Sequence, residues 1–203
     1  MFLMFARFDF KSPDLAAEDQ NYFDNHVRLA RRLPGVRMYL TGKLIETRLK
    51  PDRYRAVLFG YDTAPAAMTS LDNPVGAELM ADSAAHIIGT TVTACEGEEI
   101  LPFSGRKPGH PCAVIVLLYN LLPGAAHRLR SYADSIRRLP DLCGYMAGRT
   151  FEARGEKPDR ERMEIRIAAP EVLRTPSWDR LIAPDDSLMT AALIHAFEGE
   201  VQI

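Results

Sequence analysis

Several common markers of function are missing from this sequence of 203 residues. Its three cysteines, Cys95, Cys112 and Cys143, are far apart and without CxxC spacing, so neither a disulfide framework nor a zinc site is expected. No apolar run approaches the ~18 residues that a membrane-spanning helix requires. The apolar stretch at Met1–Ala6 is too short for a signal peptide. We therefore expect a protein without membrane segments, located in a reducing cytoplasm.

An excess of charge of one sign is also missing. The chain has 25 Lys and Arg residues against 27 Asp and Glu residues, and this near balance removes any general attraction to nucleic acid or to an anionic membrane. The motifs GxGxxG, GxxxxGK[ST] and GxSxG are absent, and the histidines lack HxxxH or HExxH spacing. We predict no metal, no cofactor, and neither nucleic acid nor membrane as a partner.

The sequence does contain an internal repeat. Arg31–Val36 reads Arg-Arg-Leu-Pro-Gly-Val, and Arg137–Leu142, 106 residues later, reads Arg-Arg-Leu-Pro-Asp-Leu. Glu-Gly-Glu occurs at Glu96–Glu98 and again at Glu198–Glu200, an offset of 102 residues. At the first offset Tyr39 also matches Tyr145, and Gly42 matches Gly148. Several identities in one order at nearly one offset indicate a tandem duplication.

Each copy predicts the same order of elements. Copy one has strands at Phe2–Phe10, Val36–Thr41, Tyr54–Tyr61 and Ile87–Ile100, with helices at Ala64–Met68 and Pro74–Ala85 and a first helix between Ser12 and Leu33. Copy two has strands at Ala113–Leu121, Leu142–Phe151, Arg162–Ala168 and Ala191–Gln202, with helices at Ala125–Leu139 and Ser177–Leu188. We predict a domain over residues 1–103, a Pro/Gly-rich linker over 104–111, and a second, diverged domain over 112–203.

The order β-α-β-β-α-β is that of the ferredoxin-like unit, an antiparallel sheet with both helices on one face. Apolar residues occur at both parities in Phe2–Phe10 and in Ala113–Leu121, which indicates sheets that are buried on both sides. We therefore predict an α+β fold in which two tandem ferredoxin-like units pair their sheets within one chain.

The first long helix carries the candidate site. Ser12 is predicted to cap it with Pro13 at the first helical position, and Pro34 and Gly35 end it. On a helical wheel an apolar stripe forms from Leu15, Tyr22, His26, Leu29 and Leu33. His26 is in the middle of this stripe, so its imidazole is expected to face the sheet or a cleft before it.

Copy one resembles the EthD family of the dimeric α/β-barrel superfamily. The resemblance lies in Tyr22, Phe23 and His26, in the Leu-Pro-Gly-Val of Leu33–Val36, and in the Asn-Pro-Val-Gly turn followed by Asp82. It implies a barrel of two four-stranded sheets, the intramolecular dimeric α/β-barrel. It also implies a cleft between sheet and helices for a small apolar or aromatic molecule. In copy two Tyr132 replaces His26, Asp141 replaces Gly35 and Trp178 replaces Gly76.

His26 is the candidate acid or base, because an imidazole can exchange protons near neutral pH without a cofactor. The alternative is a core histidine bonded to a backbone carbonyl. Tyr39 is the second catalytic candidate, placed to orient a substrate, although its recurrence as Tyr145 also favours packing. Tyr22, Phe23 and Met38 are predicted to line the ligand site, or to be core. Asp82 is expected to cap a helix or to pair, with catalysis the lesser alternative.

Three functions fit these residues. The first is an EthD-like protein that binds a small apolar or aromatic compound or acts as an accessory to another protein, with its cleft in copy one. The second is a cofactor-independent isomerase, lyase or cyclase that uses His26 as acid and base. The third is a scaffold without catalysis. A homodimer of the two-copy chain is compatible with each of them.

Overall fold

Eight antiparallel strands close into one barrel. The computed structural model describes residues 1–47, 50–104, 107–152, 158 and 160–203. The strands are β1 (Phe2–Phe10), β2 (Val36–Ile45), β3 (Arg55–Tyr61), β4 (Ile87–Leu101), β5 (Pro111–Leu121), β6 (Leu142–Phe151), β7 (Arg162–Ala168) and β8 (Met189–Val201). Their order around the barrel is β1-β3-β2-β8-β5-β7-β6-β4.

The barrel consists of two ferredoxin-like sheets. The order β4-β1-β3-β2 belongs to copy one, and the order β8-β5-β7-β6 repeats it in copy two. The two sheets join through β2 with β8 and through β4 with β6. This arrangement confirms the predicted fold class and shows that each copy closes the sheet of the other.

Helices cover the outer face of both sheets. In copy one they are α1 (Leu15–Asn21), a π-helical turn (Tyr22–His26), α2 (Val27–Ala30), α3 (Ala64–Thr69) and α4 (Pro74–His86). In copy two they are a 3₁₀ turn (Ala125–Arg128), α5 (Leu129–Ile136), a second 3₁₀ turn (Pro170–Arg174) and α6 (Ser177–Ile182). Among the described residues, no helix combines the length and the apolar composition needed to cross a membrane.

Facing glycines form both joints between the sheets. Gly42 is opposite Gly199 where β2 meets β8, and Gly97 is opposite Gly148 where β4 meets β6. A Cβ atom on Gly42 would lie 2.1 Å from the Glu198 carbonyl oxygen, and one on Gly97 would lie 2.2 Å from that of Ala147. The backbones approach too closely for any side chain. The repeated glycines of the sequence are therefore the residues that allow the barrel to close.

The barrel interior is filled with apolar side chains from both copies. Leu3, Phe5 and Leu40 of copy one pack there against Val116 and Ile165 of copy two. Further along the same strand, Phe8 and Phe10 face the other side of the sheet and belong to a separate cluster under the helices. The sheet is thus buried on both faces, as the two parities of apolar residues predicted. Phe103, which follows β4, is 3% exposed and packs into the interior.

The start of the first helix differs from the prediction. Asp14, not Ser12, is the N-cap, because its Oδ1 accepts a hydrogen bond from the Ala17 N–H at 3.1 Å, and the helix begins at Leu15. Leu15 is 40% exposed, outside the buried stripe that includes His26. The π turn inserts one residue between them, so a single helical wheel does not describe both ends of the helix.

Copy two has shorter helices than predicted. The segment 125–139 divides into a 3₁₀ turn and α5, which ends at Ile136. The helix expected to reach Leu188 ends at Ile182, and Ala183 is already extended (ψ 124°). Ala183 precedes Pro184, whose ring disfavours a helical conformation in the residue before it.

Candidate functional site

A π-helical turn presents His26 to the inside of copy one. The Val27 N–H donates to the Tyr22 carbonyl, five residues back, instead of to the usual fourth. Such turns are rare and frequently occur at functional sites. Tyr22 and His26 are both buried, and their rings stack with centroids 4.9 Å apart and an interplanar angle of 18°. The helix therefore holds the imidazole in one orientation.

His26 pairs with a carboxylate from another helix. Its Nδ1 lies 2.7 Å from Asp82 Oδ2 of α4. A carboxylate oxygen accepts hydrogen bonds, so Nδ1 donates and Nε2 is left as the acceptor of the neutral ring. The side chains of His26 and Asp82 are 11% and 15% exposed. His26 is thus not bonded to a backbone carbonyl, which was the structural alternative.

The first turn of α4 positions Asp82. Asn73 caps the helix, because its side-chain oxygen accepts from the N–H groups of Val75 and Gly76 at 3.0 and 3.2 Å. Pro74 occupies the first turn, where no N–H is required. A Cβ on Gly76 would lie 2.2 Å from the Leu71 carbonyl oxygen, so the helix start packs directly on the preceding chain. The turn at Asn73–Gly76 therefore fixes where the helix that carries Asp82 begins.

A cavity of about 250 Å³ lies between the sheet and the helices of copy one. Its polar side chains are few: His26, Tyr61, Ser70, Ser83 and Thr90. The remaining lining is apolar: Met4, Ala6, Phe8, Leu33, Val57, Phe59, Ala67, Leu71, Leu79, Met80, Ile87 and Val92. An apolar cavity with a small number of polar groups is the usual form of a small-molecule site. Its volume suits a compact compound of one or two rings.

Tyr39 does not line the cavity but lies behind Phe59, which does. Its ring stacks on Phe59, which lines the cavity, with centroids 4.5 Å apart and an interplanar angle of 10°. The Tyr39 hydroxyl lies 3.1 Å from the Tyr22 hydroxyl, which in turn lies 3.0 Å from Thr41 Oγ1. Burial holds the pKa of Tyr39 well above its ordinary value and also raises the pKa of Tyr22. Both phenols are therefore neutral, and Tyr39 reaches His26 only through Tyr22.

Arg55 is a member of this cluster that the sequence analysis did not single out. It is 1% exposed, and its guanidinium carbon lies 4.7 Å from the ring centre of Tyr22 and 5.0 Å from that of Phe23. Its NH2 donates to Asp19 Oδ1 at 2.5 Å. Burial tends to raise the pKa of Asp19, but hydrogen bonds from Lys43, Tyr54 and Arg55 hold that pKa below its ordinary value. Phe23 thus packs on a buried ion pair.

Met38 points the other way. It is adjacent to Tyr39 on β2 and therefore faces the opposite side of the sheet, where it is fully buried among the apolar residues of the barrel interior. The structure brings Tyr22, His26 and Tyr39 together, places Phe23 beside Tyr22, and separates Met38 from all of them. Their roles in binding or catalysis remain predictions.

Copy two has a different interior at the same place. Tyr132 of α5 stands where copy one has His26, and its hydroxyl lies 3.3 Å from Glu164 Oε1 and 2.5 Å from Arg166 NH2. Glu164 and Arg166 are fully buried and are joined at 2.6 Å. Beside them is a broad cleft of about 860 Å³ lined by Tyr119, Tyr132, Tyr145 and several charged residues. Within the described ranges, no group of three or more His, Cys, Asp or Glu residues could hold a metal ion in either copy.

Similar folds exist among solved structures. A candidate monooxygenase from Fusobacterium nucleatum has a TM-score of 0.66 at 11% identity, over 100% of this chain and 92% of its own. A candidate monooxygenase from Lactobacillus acidophilus has a TM-score of 0.61 at 11% identity, over 98% and 93%. An EthD-family protein from Bacillus halodurans has a TM-score of 0.39 at 18% identity, over 45% of this chain and 96% of its own.

No family model matches the sequence, and a search of the curated proteins finds no match. The first two structures span nearly the whole chain, and both identities are low enough that they establish the fold alone. With the strand order of the barrel, they show that this chain has the fold of a dimeric α/β-barrel, with both halves in one polypeptide.

Proposed function

We propose that the protein binds a compact, largely apolar or aromatic compound in the cavity of copy one. The observation that carries this proposal is an apolar cavity whose wall holds His26 with its Nδ1 engaged by Asp82 at 2.7 Å. Among the described residues Nε2 has no hydrogen-bond partner, so it is available to a ligand that carries an O–H or N–H group. Tyr22, Phe23 and Met38 would favour the scaffold alternative if their side chains filled the cleft, but none of them is among the residues that line the cavity.

The His26–Asp82 pair also favours a second candidate function, proton transfer without a cofactor. In this reaction Nε2 would take the proton of a phenol or enol, and the carboxylate of Asp82 would stabilise the resulting imidazolium. The same proton would then be returned to the carbon next to the C–O group, which gives the keto isomer. No oxidant or reductant is consumed. Tyr39 would act here only as a positioning residue, through its hydrogen bond to Tyr22.

The probe for both candidates is 2-naphthol, a two-ring phenol, with naphthalene as its analogue without the hydroxyl. Binding of each is measured by NMR titration, and hydrogen–deuterium exchange at ring carbon 1 of 2-naphthol reports proton transfer. We expect His26→Ala to weaken 2-naphthol binding by about tenfold, the value of one buried hydrogen bond, and to leave naphthalene unchanged. Exchange faster than in buffer, lost in His26→Ala and reduced in Asp82→Asn, would support the enzyme.

Tyr132→Phe is the matched control, because Tyr132 occupies the place of His26 in copy two and should affect neither probe. If neither compound binds the folded protein, the ligand site is wrong and the scaffold function is preferred. Binding with equal affinity in the parent and in His26→Ala would show that the cavity is used but that His26 does not contact the ligand.

A further inference from the structure

One end of the barrel interior is polar. Leu3 and Phe5 of β1 point into the apolar interior, and Arg7 follows at the next inward position. On β8 the inward residues Phe197 and Leu193 flank His195, whose ring centre lies 5.7 Å from that of Phe5. At the opposite end, where β1 begins and β4 ends, the apolar side chain of Phe103 packs into the interior. One end of the barrel interior is therefore polar and the other apolar.

Arg7 is the central charge at the polar end. It is 8% exposed, and its NH1 donates to both carboxylate oxygens of Asp52, at 2.8 and 2.7 Å. Its Nε and NH2 have no partner within the part of the chain that the structure describes. A guanidinium carries five N–H donors in a planar fork that matches a carboxylate edge-on. One nitrogen bonded to one exposed carboxylate leaves most of that fork unused.

His195 is the second polar group at this end. Its Nδ1 lies 3.5 Å from Arg7 NH1, and its Nε2 is buried without a hydrogen-bond partner among the described residues. Burial and the neighbouring charge of Arg7 lower the pKa of His195 to about 4. The histidine is therefore neutral near pH 7. The charge of the site then comes from Arg7 and Lys50 against the single carboxylate of Asp52.

A cavity of about 220 Å³ connects these groups. Besides the polar residues, its walls are apolar and come from the end of β2, the first half of β8 and the loop before β3: Leu44, Ile45, Pro51, Leu193 and Ile194. The volume is below the ~300 Å³ at which drug-sized ligand sites begin, so only a small molecule fits. A site with one buried cation and hydrocarbon walls favours an amphiphilic anion over a bare ion.

We propose that this end of the barrel binds a small organic monocarboxylate. The carboxylate would bond to the free edge of Arg7, with His195 beside it, and the hydrocarbon part would pack on Leu44 and Leu193. Asp52 occupies part of the Arg7 fork and would compete with the ligand. Arg7 is flanked on β1 by Ala6 and Phe8, which line the cavity of copy one, so the two cavities are on opposite faces of one sheet. This proposal does not depend on the function proposed above.

The test is an NMR titration of the full chain with butyrate, with butyramide as the uncharged analogue and sulfate as the inorganic anion. We expect saturable shifts of the His195 ring resonances with butyrate, and weaker binding of the other two by at least about tenfold, the value of a charge-assisted hydrogen bond. Arg7→Gln should lose butyrate binding. Asp52→Asn should bind butyrate more tightly than the parent, because it removes the competing charge.

Arg37→Gln is the matched control, since Arg37 pairs with Asp62 on the exposed surface and should leave the affinity unchanged. Equal affinity for butyrate and butyramide would overturn the role of Arg7 as an anion site. Equal affinity for sulfate and butyrate would overturn the assignment to an organic acid. If Arg7→Gln does not fold, Asp52→Asn still decides, because unchanged or weaker binding in that variant contradicts the proposal.

Discussion

The two copies share a backbone and differ in what they enclose between sheet and helices. In β3 the outward residues Val57 and Phe59 form an apolar floor under the cavity. The ion pairs around it are His26 with Asp82, on the helices, and Arg55 at the start of β3 with Asp19. In β7 the corresponding positions hold Glu164, the counterpart of Val57, and Arg166, the counterpart of Phe59. This follows from the pairing, because Phe59 is opposite Tyr39 of β2 and Arg166 is opposite Tyr145 of β6. Copy two thus has a buried ion pair at the two sheet positions that are apolar in copy one. Two units with the same strand order can therefore enclose an apolar cavity in one case and a buried ion pair in the other.

Arg166 explains how copy two tolerates a buried ion pair. Its NH1 donates to the carbonyl oxygens of Leu181 and Ala183 at 2.6 and 3.3 Å, where α6 ends. Its Nε and NH2 are taken by Glu164 and Tyr132. Burial would lower the pKa of Arg166, but Glu164 and the neighbouring tyrosines raise that pKa above its ordinary value. The pair therefore ties sheet, α5 and α6 together in the absence of an apolar floor.

The largest expected effect comes from giving copy two one residue of copy one. Arg166→Phe installs the counterpart of Phe59 and leaves Glu164 buried without its cation, so we expect a loss of about 3–5 kcal/mol in the free energy of unfolding. The double variant Glu164→Val/Arg166→Phe removes the stranded charge and should recover most of this loss. Urea denaturation of both variants measures the difference.

The control is Arg137→Gln, which breaks an exposed pair with Asp134 and should cost less than about 1 kcal/mol. Equal destabilisation of the single and double variants would show that packing, not charge, decides.

The architecture could be predicted from the sequence because the same structural constraints recur in both halves of the chain. Gly42 and Gly148 recur, and so do the glycines of the two Glu-Gly-Glu motifs, since each pair of joints requires the same close backbone contact. The strand boundaries Leu142–Phe151 and Arg162–Ala168 agree with the prediction. The occurrence of apolar residues at both odd and even positions of β1 and β5 indicated a sheet buried on two faces. These features are local or periodic, so they can be recognised in a single sequence.

The site could be predicted only in part. His26 was identified because it lies in an apolar helical stripe, which is a local signal. Its partner Asp82 is 56 residues away on another helix, and no spacing rule links the two. The buried Arg55 and the pair Glu164 and Arg166 look in sequence like the solvated alternate positions of a strand. Only the position of the helices over the sheet determines that these charges are enclosed.

The second prediction concerns an asymmetry inside the barrel. At the offset of 102 residues Thr93 is the counterpart of His195, so His195→Thr makes the two copies alike at this position. Burial and Arg7 lower the pKa of His195 to about 4 from an ordinary value of 6.5. Between these values the unfolded chain binds more protons than the folded one. The stabilisation is therefore complete above pH 6.5 and is lost as the pH falls towards 4.

For the parent we expect the free energy of unfolding to fall by up to about 1.4 kcal/mol per pH unit across that window because of His195, and by roughly 3 kcal/mol in total. The His195→Thr variant should lack this contribution. Denaturation midpoints at several pH values in buffers without carboxylates measure the difference, and subtraction of the variant from the parent removes the other titrating groups. Parallel stability curves for the two proteins would contradict the burial of a neutral histidine.

The smallest expected effect separates the repeated tyrosines. Tyr39 and Tyr145 are counterparts, but the Tyr39 hydroxyl is bonded to that of Tyr22, whereas the Tyr145 hydroxyl has no hydrogen-bond partner within the described residues and borders the copy-two cleft. Tyr39→Phe should therefore cost about 0.5–1.5 kcal/mol in the free energy of unfolding, and Tyr145→Phe should cost close to none. Because Tyr22 keeps its contact with Thr41, the loss in copy one should stay within this range. If the tyrosine is repeated only for packing, both variants will be equally stable. A measurable difference would instead mean that copy one retains the hydroxyl to orient Tyr22 and, through its stacked ring, His26.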